Sequence, residues 1–448
     1  MNARSRDGHP RGLWVLAGTE AWERFSFYGM QALLMLYMLQ ALLPHRPGER
    51  VAGFAAFRWG LEWLVGSLPD AALASQITGL YAGLVYLTPI LGGYLGDRWI
   101  GRRRMVLIGA GLMACGHFLL AFDRTFLLAL GLLVLGSGCL KGNIAVQVGR
   151  LYAPDDERRD RAYLWFNLGI NIGAFAGPLI CGGIGDRLGW HWGFAAAGIG
   201  MLIGIAIYAA NSRALAPDRT RRGGATGEIR QKLSPEERRR VGAVLAVIAL
   251  LLAYNLPFGQ AYNIFPLWIS EAANRHVTAD FVLPIPWYLA ADGLVTVAGT
   301  PLVLALWRRQ AARGREPGEI GKIAIGCAMM AAADLLLATL AATAPAHRLY
   351  WAWGYAYFAI ASTSYLFTMP ILLALVSRAA PPRSVGTLMG LAYAGLFVAN
   401  VGGGWLGRFY VILGPAGFWS LQAAIAGAGL ACALLIRRPI GAILRDRS

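Results

Sequence analysis

Apolar runs of about 20 residues or more recur along nearly the whole chain, each closed by a polar loop, and this spacing predicts helices that cross a bilayer. Twelve segments can be drawn: 13–43, 72–100, 103–123, 126–152, 159–186, 190–210, 241–270, 284–308, 321–343, 349–378, 383–412 and 415–437. Several are long enough to tilt or to extend beyond the hydrocarbon core. The pattern lapses twice. Residues 44–71 contain Phe54, Phe57, Trp59, Trp63 and Leu64, which suit an amphipathic helix at the membrane interface. Residues 211–240 are rich in Arg, Gly and Glu and read as a solvated linker. Within it, Ser234-Pro235-Glu236-Glu237 starts a short helix: a serine cap, proline at the first position, acids in the first turn. The expected fold is all-α and membrane-spanning, with six-helix bundles over 1–210 and 241–448 joined by the basic linker 211–240.

Loop charge gives the orientation. Arg4, Arg6 and Arg11 precede the first segment; Arg98, Arg102, Arg103 and Arg104 follow the second; Arg150, Arg158, Arg159 and Arg161 follow the fourth. The linker holds nine basic residues, the eighth-to-ninth loop has Arg308, Arg309, Arg313, Arg315 and Lys322, and Arg437, Arg438, Arg445 and Arg447 end the chain. With twelve crossings all of these fall on one side, which the positive-inside rule makes cytoplasmic. Both termini are then cytoplasmic, and the expected location is a bacterial inner membrane.

Composition agrees: 57% of residues are hydrophobic, 15% are charged and mean hydropathy is +0.50, whereas soluble domains carry about 25% charged residues. The net charge of +17 does not point to nucleic acid, because the excess sits in short loops. No cleavable signal peptide is expected, since the first segment is too long and too charged for a signal core. Cys115, Cys139, Cys181, Cys327 and Cys432 all lie in apolar segments without metal-site or CxxC spacing and read as packing residues. His117, well inside a segment, reads the same way. No nucleophile–base pair, phosphate loop or metal set suggests an enzyme, and no cofactor is expected beyond protons as coupling ion.

Charges at membrane depth are the informative exceptions. The first segment contains Glu20, Glu23 and Arg24, and each charge there costs roughly 2.5 kcal/mol or more unless it pairs or faces water. Glu20 and Arg24 are four apart and share a helix face, Glu23 lies one turn from Glu20, and Tyr28 continues the stripe. Two acids per arginine exceed what a structural lock needs and suit proton exchange. Lys141, one of three lysines in the chain, lies mid-segment in the fourth helix, with Glu20 or Glu23 as its natural partner. Asn167 and Asn171 share a face of the fifth helix and suit either substrate amides or another helix. Asp292 and Asp334 are isolated acids in the eighth and ninth.

Together these motifs resemble the proton-dependent oligopeptide transporters of the major facilitator superfamily. The resemblance rests on Glu20-x-x-Glu23-Arg24-Phe25-Ser26 with Tyr28-Gly29; on Gly138-x-x-Lys141-x-Asn143 and Val148-Gly149-Arg150-Leu151-Tyr152; on Ile170-Asn171-Ile172-Gly173-Ala174 and Pro178; and on Gly189-Trp190-His191-Trp192-Gly193-Phe194. It is close in the N-terminal half and looser in the C-terminal half. It also covers Gly92-Gly93-Tyr94-Leu95-Gly96-Asp97-Arg98, the loop pattern of the superfamily. The resemblance implies two six-helix bundles with a substrate site between them, and import of di- and tripeptides or similar small amides driven by protons. Proton coupling is carried over to Glu20, Glu23, Arg24 and Lys141, and substrate binding to Arg24, Tyr28, Lys141 and Asn171; Asn143 and Asn167, beside them, are candidate substrate contacts. Tyr365 and Tyr393 are further candidate substrate contacts.

The departures lie mostly in the second half. Gly259 stands where the family has an acid, Tyr365 where it has a glutamate, Ala392 where it has a tryptophan, and Gly142, in the first half, where it has a proline. Asp292 falls where a pocket asparagine is usual, so it is a candidate both for the peptide amino terminus and for proton coupling. The expected partners are a peptide substrate, protons and the lipid bilayer, with the protein acting as a monomer. The alternative is an exporter or facilitator for a larger amphipathic or modified peptide-like compound with altered proton coupling.

Overall fold

Proline and left-handed glycine punctuate the helices. Pro10, extended at φ −63° and ψ 146°, precedes α1 (Arg11–Tyr37), which runs through a π turn (Met38–Leu42) into a 3-10 turn (Leu43–His45). Gly53 and Gly66, at φ 76° and 84°, bracket α2 (Phe54–Val65); only glycine adopts such values freely. Phe54 and Leu61 are buried while Trp59 and Trp63 are 71% and 75% exposed, so α2 is two-faced, as an interfacial helix should be. α3 (Asp70–Leu95), α4 (Arg102–Leu119), α5 (Phe126–Gly149), α6 (Arg158–Leu188) and α7 (Trp190–Ala210) follow. The computed structural model describes residues 8–45, 47–153, 156–218, 233–343, 348–381 and 384–445. Arg4, Arg6, Arg447 and linker residues 219–232 lie outside them.

α8 (Pro235–Leu250) opens on a capping box. The Glu237 N–H donates to Ser234 Oγ at 3.1 Å, and the Ser234 N–H donates to Glu237 Oε2 at 2.8 Å. The short helix expected in the linker is therefore the first turn of the seventh membrane helix. That span, expected to be continuous, is broken into α8, α9 (Leu252–Phe258), a 3-10 turn (Gly259–Tyr262) and α10 (Ile264–Ala272). Pro257 removes a backbone donor there, and Asn263 leaves the helical region at φ −113°, ψ −84°. α11 (Pro286–Ala312) and α12 (Glu319–Thr343) are unbroken. The tenth span divides into α13 (Ala352–Leu366) and α14 (Met369–Ala379), where Pro370 cannot continue the ladder. α15 (Val385–Leu406) ends before the expected 412, and α16 (Arg408–Arg445) is bent at Gly414, φ 70°. β1 (Ala273–Asn274) and β2 (Leu349–Tyr350) pair in parallel.

Among the described residues, eleven helices are long and apolar enough to cross a membrane. The twelfth expected span, α4, is present as an 18-residue helix packed on α5 and α7, but it opens with Arg102, Arg103 and Arg104, more charge than an apolar span carries. The chain forms two compact units, one of residues 1–64 with 87–224 and the other of 65–86 with 225–448. In the first, α1 packs against α6 and α7. In the second, the N-terminal part of α3 lies on α15. A Cβ on Gly79 would sit 2.4 Å from the Asn400 carbonyl oxygen, and Ser75 Oγ donates to Gly404 O at 3.0 Å.

Candidate functional site

Glu20, Glu23, Arg24 and Phe27 fall at i, i+3, i+4 and i+7 of α1 and so occupy one helix face. The first three are 4%, 0% and 7% exposed. Arg24 Nε lies 3.2 Å from Glu20 Oε1 and is also paired with Glu23 Oε2. The Phe27 ring has two cations over it: Arg24 Cζ at 5.2 Å and Lys141 Nζ at 4.4 Å from its centroid. Lys141, half-buried on α5, is also within electrostatic reach of Glu20 and Glu23. Two acids and two bases balance formally. Yet Glu20 Oε2, Glu23 Oε1 and Arg24 Nη2 are buried without a hydrogen-bond partner among the described residues. The cluster can thus accept a proton on a carboxylate and present a cationic edge to an anion. Phe27 is the member that residue-type reasoning missed. Its spacing from Glu20, Glu23 and Arg24 was the available signal.

Small residues make this burial possible. α6 presents Gly169, Gly173 and Gly177 to α1 at four-residue spacing. A Cβ on Gly173 would stand 2.2 Å from the Ala21 carbonyl oxygen and 2.7 Å from Arg24 Cβ. Gly29 makes the reciprocal contact, with Cys181 Sγ 2.7 Å from where its Cβ would be. Gly173→Ala is therefore expected to push α1 off α6 at the level of the cluster, at a cost of about 1–3 kcal/mol for overpacking. Thermal unfolding of the purified variant checks this, and an unchanged midpoint would show that the contact is not tight. Lys141 is set in a similar frame. Gly138 abuts Thr88, and the Cβ position of Gly142 lies 2.5 Å from the Pro89 carbonyl oxygen. Glycine after the lysine thus lets α3 come close to α5.

The other expected residues divide. Asn143, 0% exposed, donates Nδ2 to the Gly92 and Cys139 carbonyls at 2.9 and 2.8 Å, so its amide N–H groups clamp α3 to α5. Asn167 is exposed, and Asn171 is half-buried and donates to the Asn167 carbonyl at 2.9 Å. Tyr28, half-buried, meets Phe27 edge-on at 5.2 Å. His117 is 0% exposed with neither ring nitrogen bonded among the described residues, a packed position rather than a relay.

In the second unit, Tyr262 Oη donates to Asp292 Oδ2 at 2.6 Å. Tyr365 closes a stack of three rings, Tyr254 on Phe258 at 5.6 Å and Phe258 on Tyr365 at 5.7 Å. Tyr365 is within electrostatic reach of Asp292, Tyr393 and Tyr86, which places three of the expected residues in one neighbourhood. Tyr393 itself is 40% exposed. Tyr262, Tyr254 and Phe258 were not anticipated. Gly259 has open space where a side chain would start.

Comparison with known proteins adds to this geometry. The profile of the Major Facilitator Superfamily matches residues 24–404. The chain is similar to the peptide transporter YePEPT of Yersinia enterocolitica, 29% identical over 479 residues and covering 89% of this chain and 88% of that one. A di-/tripeptide transporter of Lactococcus lactis subsp. cremoris is 26% identical over 449 residues, covering 86% of each chain. Among solved structures, a peptide transporter POT in complex with sulfate superposes with a TM-score of 0.87 over 100% of this chain and 98% of that one, at 24% identity, a likeness of fold.

Proposed function

This chain belongs to the major facilitator superfamily, and from that premise we propose that it is a member of the POT family within it, a proton-coupled symporter importing di- and tripeptides or similar small amides by alternating access. Its likeness to the peptide transporters above supports this. It is a multi-pass membrane protein; we place it in a bacterial inner membrane with both termini cytoplasmic. The reading is carried by the buried Glu20–Glu23–Arg24 cluster with Lys141 over Phe27. Its formal charges sum to zero (−2 and +2). A proton on either glutamate leaves +1 in a site with an unbonded Arg24 Nη2, and a peptide carboxylate restores neutrality. Proton and substrate thereby favour each other's binding, and that linkage is reciprocal. Loss of the proton to the cytoplasm returns the glutamate to its cations and weakens the hold on the carboxylate. A membrane potential of 100 mV adds about 2.3 kcal/mol for each charge carried inward.

In the second unit, Asp292 supplies an acid of the right sign for an ammonium, held by Tyr262. Asp292→Asn is expected to weaken binding of dialanine by about tenfold and to spare its N-acetylated form, one charge-assisted hydrogen bond being worth roughly 1.5–3 kcal/mol. Equal loss for both ligands would remove Asp292 from that role. Vesicle uptake of labelled dialanine, with and without an imposed inward proton gradient, tests the function as a whole. Accumulation above equilibrium only with the gradient supports it; uptake indifferent to the gradient, or absent, does not.

A second reading follows from the open space at Gly259: the ligand is bulkier than a plain dipeptide. Stronger competition by side-chain-modified peptides than by dialanine itself would favour it.

A further inference from the structure

Phe27 has no charge and no hydrogen-bonding group in its side chain, yet two cations rest on its ring. Arg24 Cζ, from the preceding turn of α1, lies 5.2 Å from the centroid, and Lys141 Nζ, from α5, lies 4.4 Å from it. The ring is 4% exposed and meets Tyr28 edge-on at 5.2 Å and 84°. Both contacts are therefore made away from water, where cation–π attraction is largest. Arg24 in turn holds Glu20 and Glu23, so the ring joins the cation of α5 to the ion cluster of α1.

The cations thus have two kinds of partner, and these respond differently to a proton. A carboxylate loses its charge when it is protonated. The negative face of an aromatic ring comes from its fixed quadrupole and is the same at any pH. When the glutamate pair takes up one proton, Arg24 and Lys141 face half the negative charge they had before, and an uncompensated cation in a dry site is costly. The hold of the ring persists through that step. A leucine would fill much of the space and offer nothing to either cation.

The elements packed around α1 and α5 carry their own ionisable groups. α6 has Arg158, Arg159, Asp160 and Arg161 at its start and Asp186 and Arg187 at its end, and its Tyr163 donates to the Ala145 carbonyl at 3.5 Å. α4 opens with Arg102, Arg103 and Arg104, Arg102 being paired with Asp97, and its His117 is 0% exposed. α7 has His191 at its start, 3.6 Å from Asp123, and Tyr208, which donates to Gln147 of α5 at 2.8 Å. Tyr37 of α1 donates to Asp123 at 2.6 Å. Arg213 lies in the turn Ser212–Ala214, beside Gly12 at the start of α1. In α1 and α4 to α7, the charges away from the helix ends are therefore Glu20, Glu23, Arg24 and Lys141.

We propose that Phe27 is a positioning residue for proton coupling: its π face keeps Arg24 and Lys141 in place while the carboxylate pair is protonated and the peptide carboxylate has yet to arrive. This rests on the proton coupling proposed above.

The test replaces Phe27 with mono-, di- and trifluorophenylalanine in the full-length protein. Fluorine drains the negative face of the ring in steps and changes its size little, so a ring that only fills space gives no trend. Gradient-free dialanine exchange in vesicles, followed against pH, should need more acid at each step. Over the series the shift should reach about tenfold in proton concentration, within the worth of a desolvated cation–π contact. Gradient-driven accumulation should fall in the same order. A pH profile that stays put across the series would overturn the proposal. A second readout needs no transport. The unfolding midpoint of the purified protein should fall along the series, and fall less when Lys141→Met has removed one of the two cations. Equal changes in the two backgrounds would also overturn it. A wild type that moves no dialanine sinks the peptide reading, and the unfolding midpoints then decide on Phe27.

Discussion

Arg24→Ala is expected to abolish transport and to lower the thermal stability of the purified protein more than any other single change in the first unit. The substitution leaves Glu20 and Glu23 next to each other, 4% and 0% exposed, without the guanidinium that both contact. Breaking a buried pair by removing one partner costs about 3–5 kcal/mol, because the remaining charge stays uncompensated. Here two charges remain, with Lys141 within electrostatic reach of them. The deficit has a pH signature. Protonating the glutamates removes the repulsion, so the gap in unfolding midpoint between variant and wild type should be wide at pH 8 and narrow at pH 5. Arg24→Lys should recover part of the stability and little of the transport. A lysine ammonium is a point charge that cannot contact both carboxylates in the plane of a fork while lying over Phe27. Unfolding midpoints of the three proteins at the two pH values check this. A pH-independent gap would mean that the glutamates are not the source of the instability.

Glu23→Gln separates coupling from binding. Glutamine keeps the size of the side chain and removes both its charge and its ability to take a proton. The variant cluster carries a permanent extra positive charge, and a peptide carboxylate then needs no proton to neutralise it. Gradient-driven accumulation of dialanine should fall by about 100-fold, in line with loss of a charged hydrogen bond of roughly 1.5–3 kcal/mol. Gradient-free exchange should fall far less and lose its dependence on pH. Parallel loss of both activities would make Glu23 a structural residue of α1 and not a coupling one.

Much of this was legible before any coordinates. Hydropathy located the helices because each span must satisfy its own backbone within lipid, and the first-helix cluster was legible because five adjacent residues contain all three charges. The breaks were not. Apart from Asn255 and Thr368, the sequence stays apolar through Leu250–Phe258 and Leu366–Met369, so Pro257 and Pro370 were the main hints that the seventh and tenth spans are discontinuous. The limits of the linker were hidden for the opposite reason: Glu236 to Arg240 are polar yet form the start of a membrane helix. Site partners far apart in sequence lay beyond reach. Asp292 meets Tyr262 thirty positions away through tertiary packing, and Asn143 spends its amide on the Gly92 carbonyl. In each case the residue type announced a polar obligation, and only the packing showed what meets it.

The central claim is that a buried carboxylate pair, balanced by Arg24 and Lys141, takes up a proton so that a peptide can bind and be carried with it. Dialanine is a zwitterion without net charge near neutral pH, so any charge it moves is the proton's. A dialanine jump on vesicles adsorbed to a sensor electrode is predicted to drive an inward positive current in wild type and none in Glu23→Gln. Dialanine uptake without current in wild type, or equal currents in both proteins, would contradict the account.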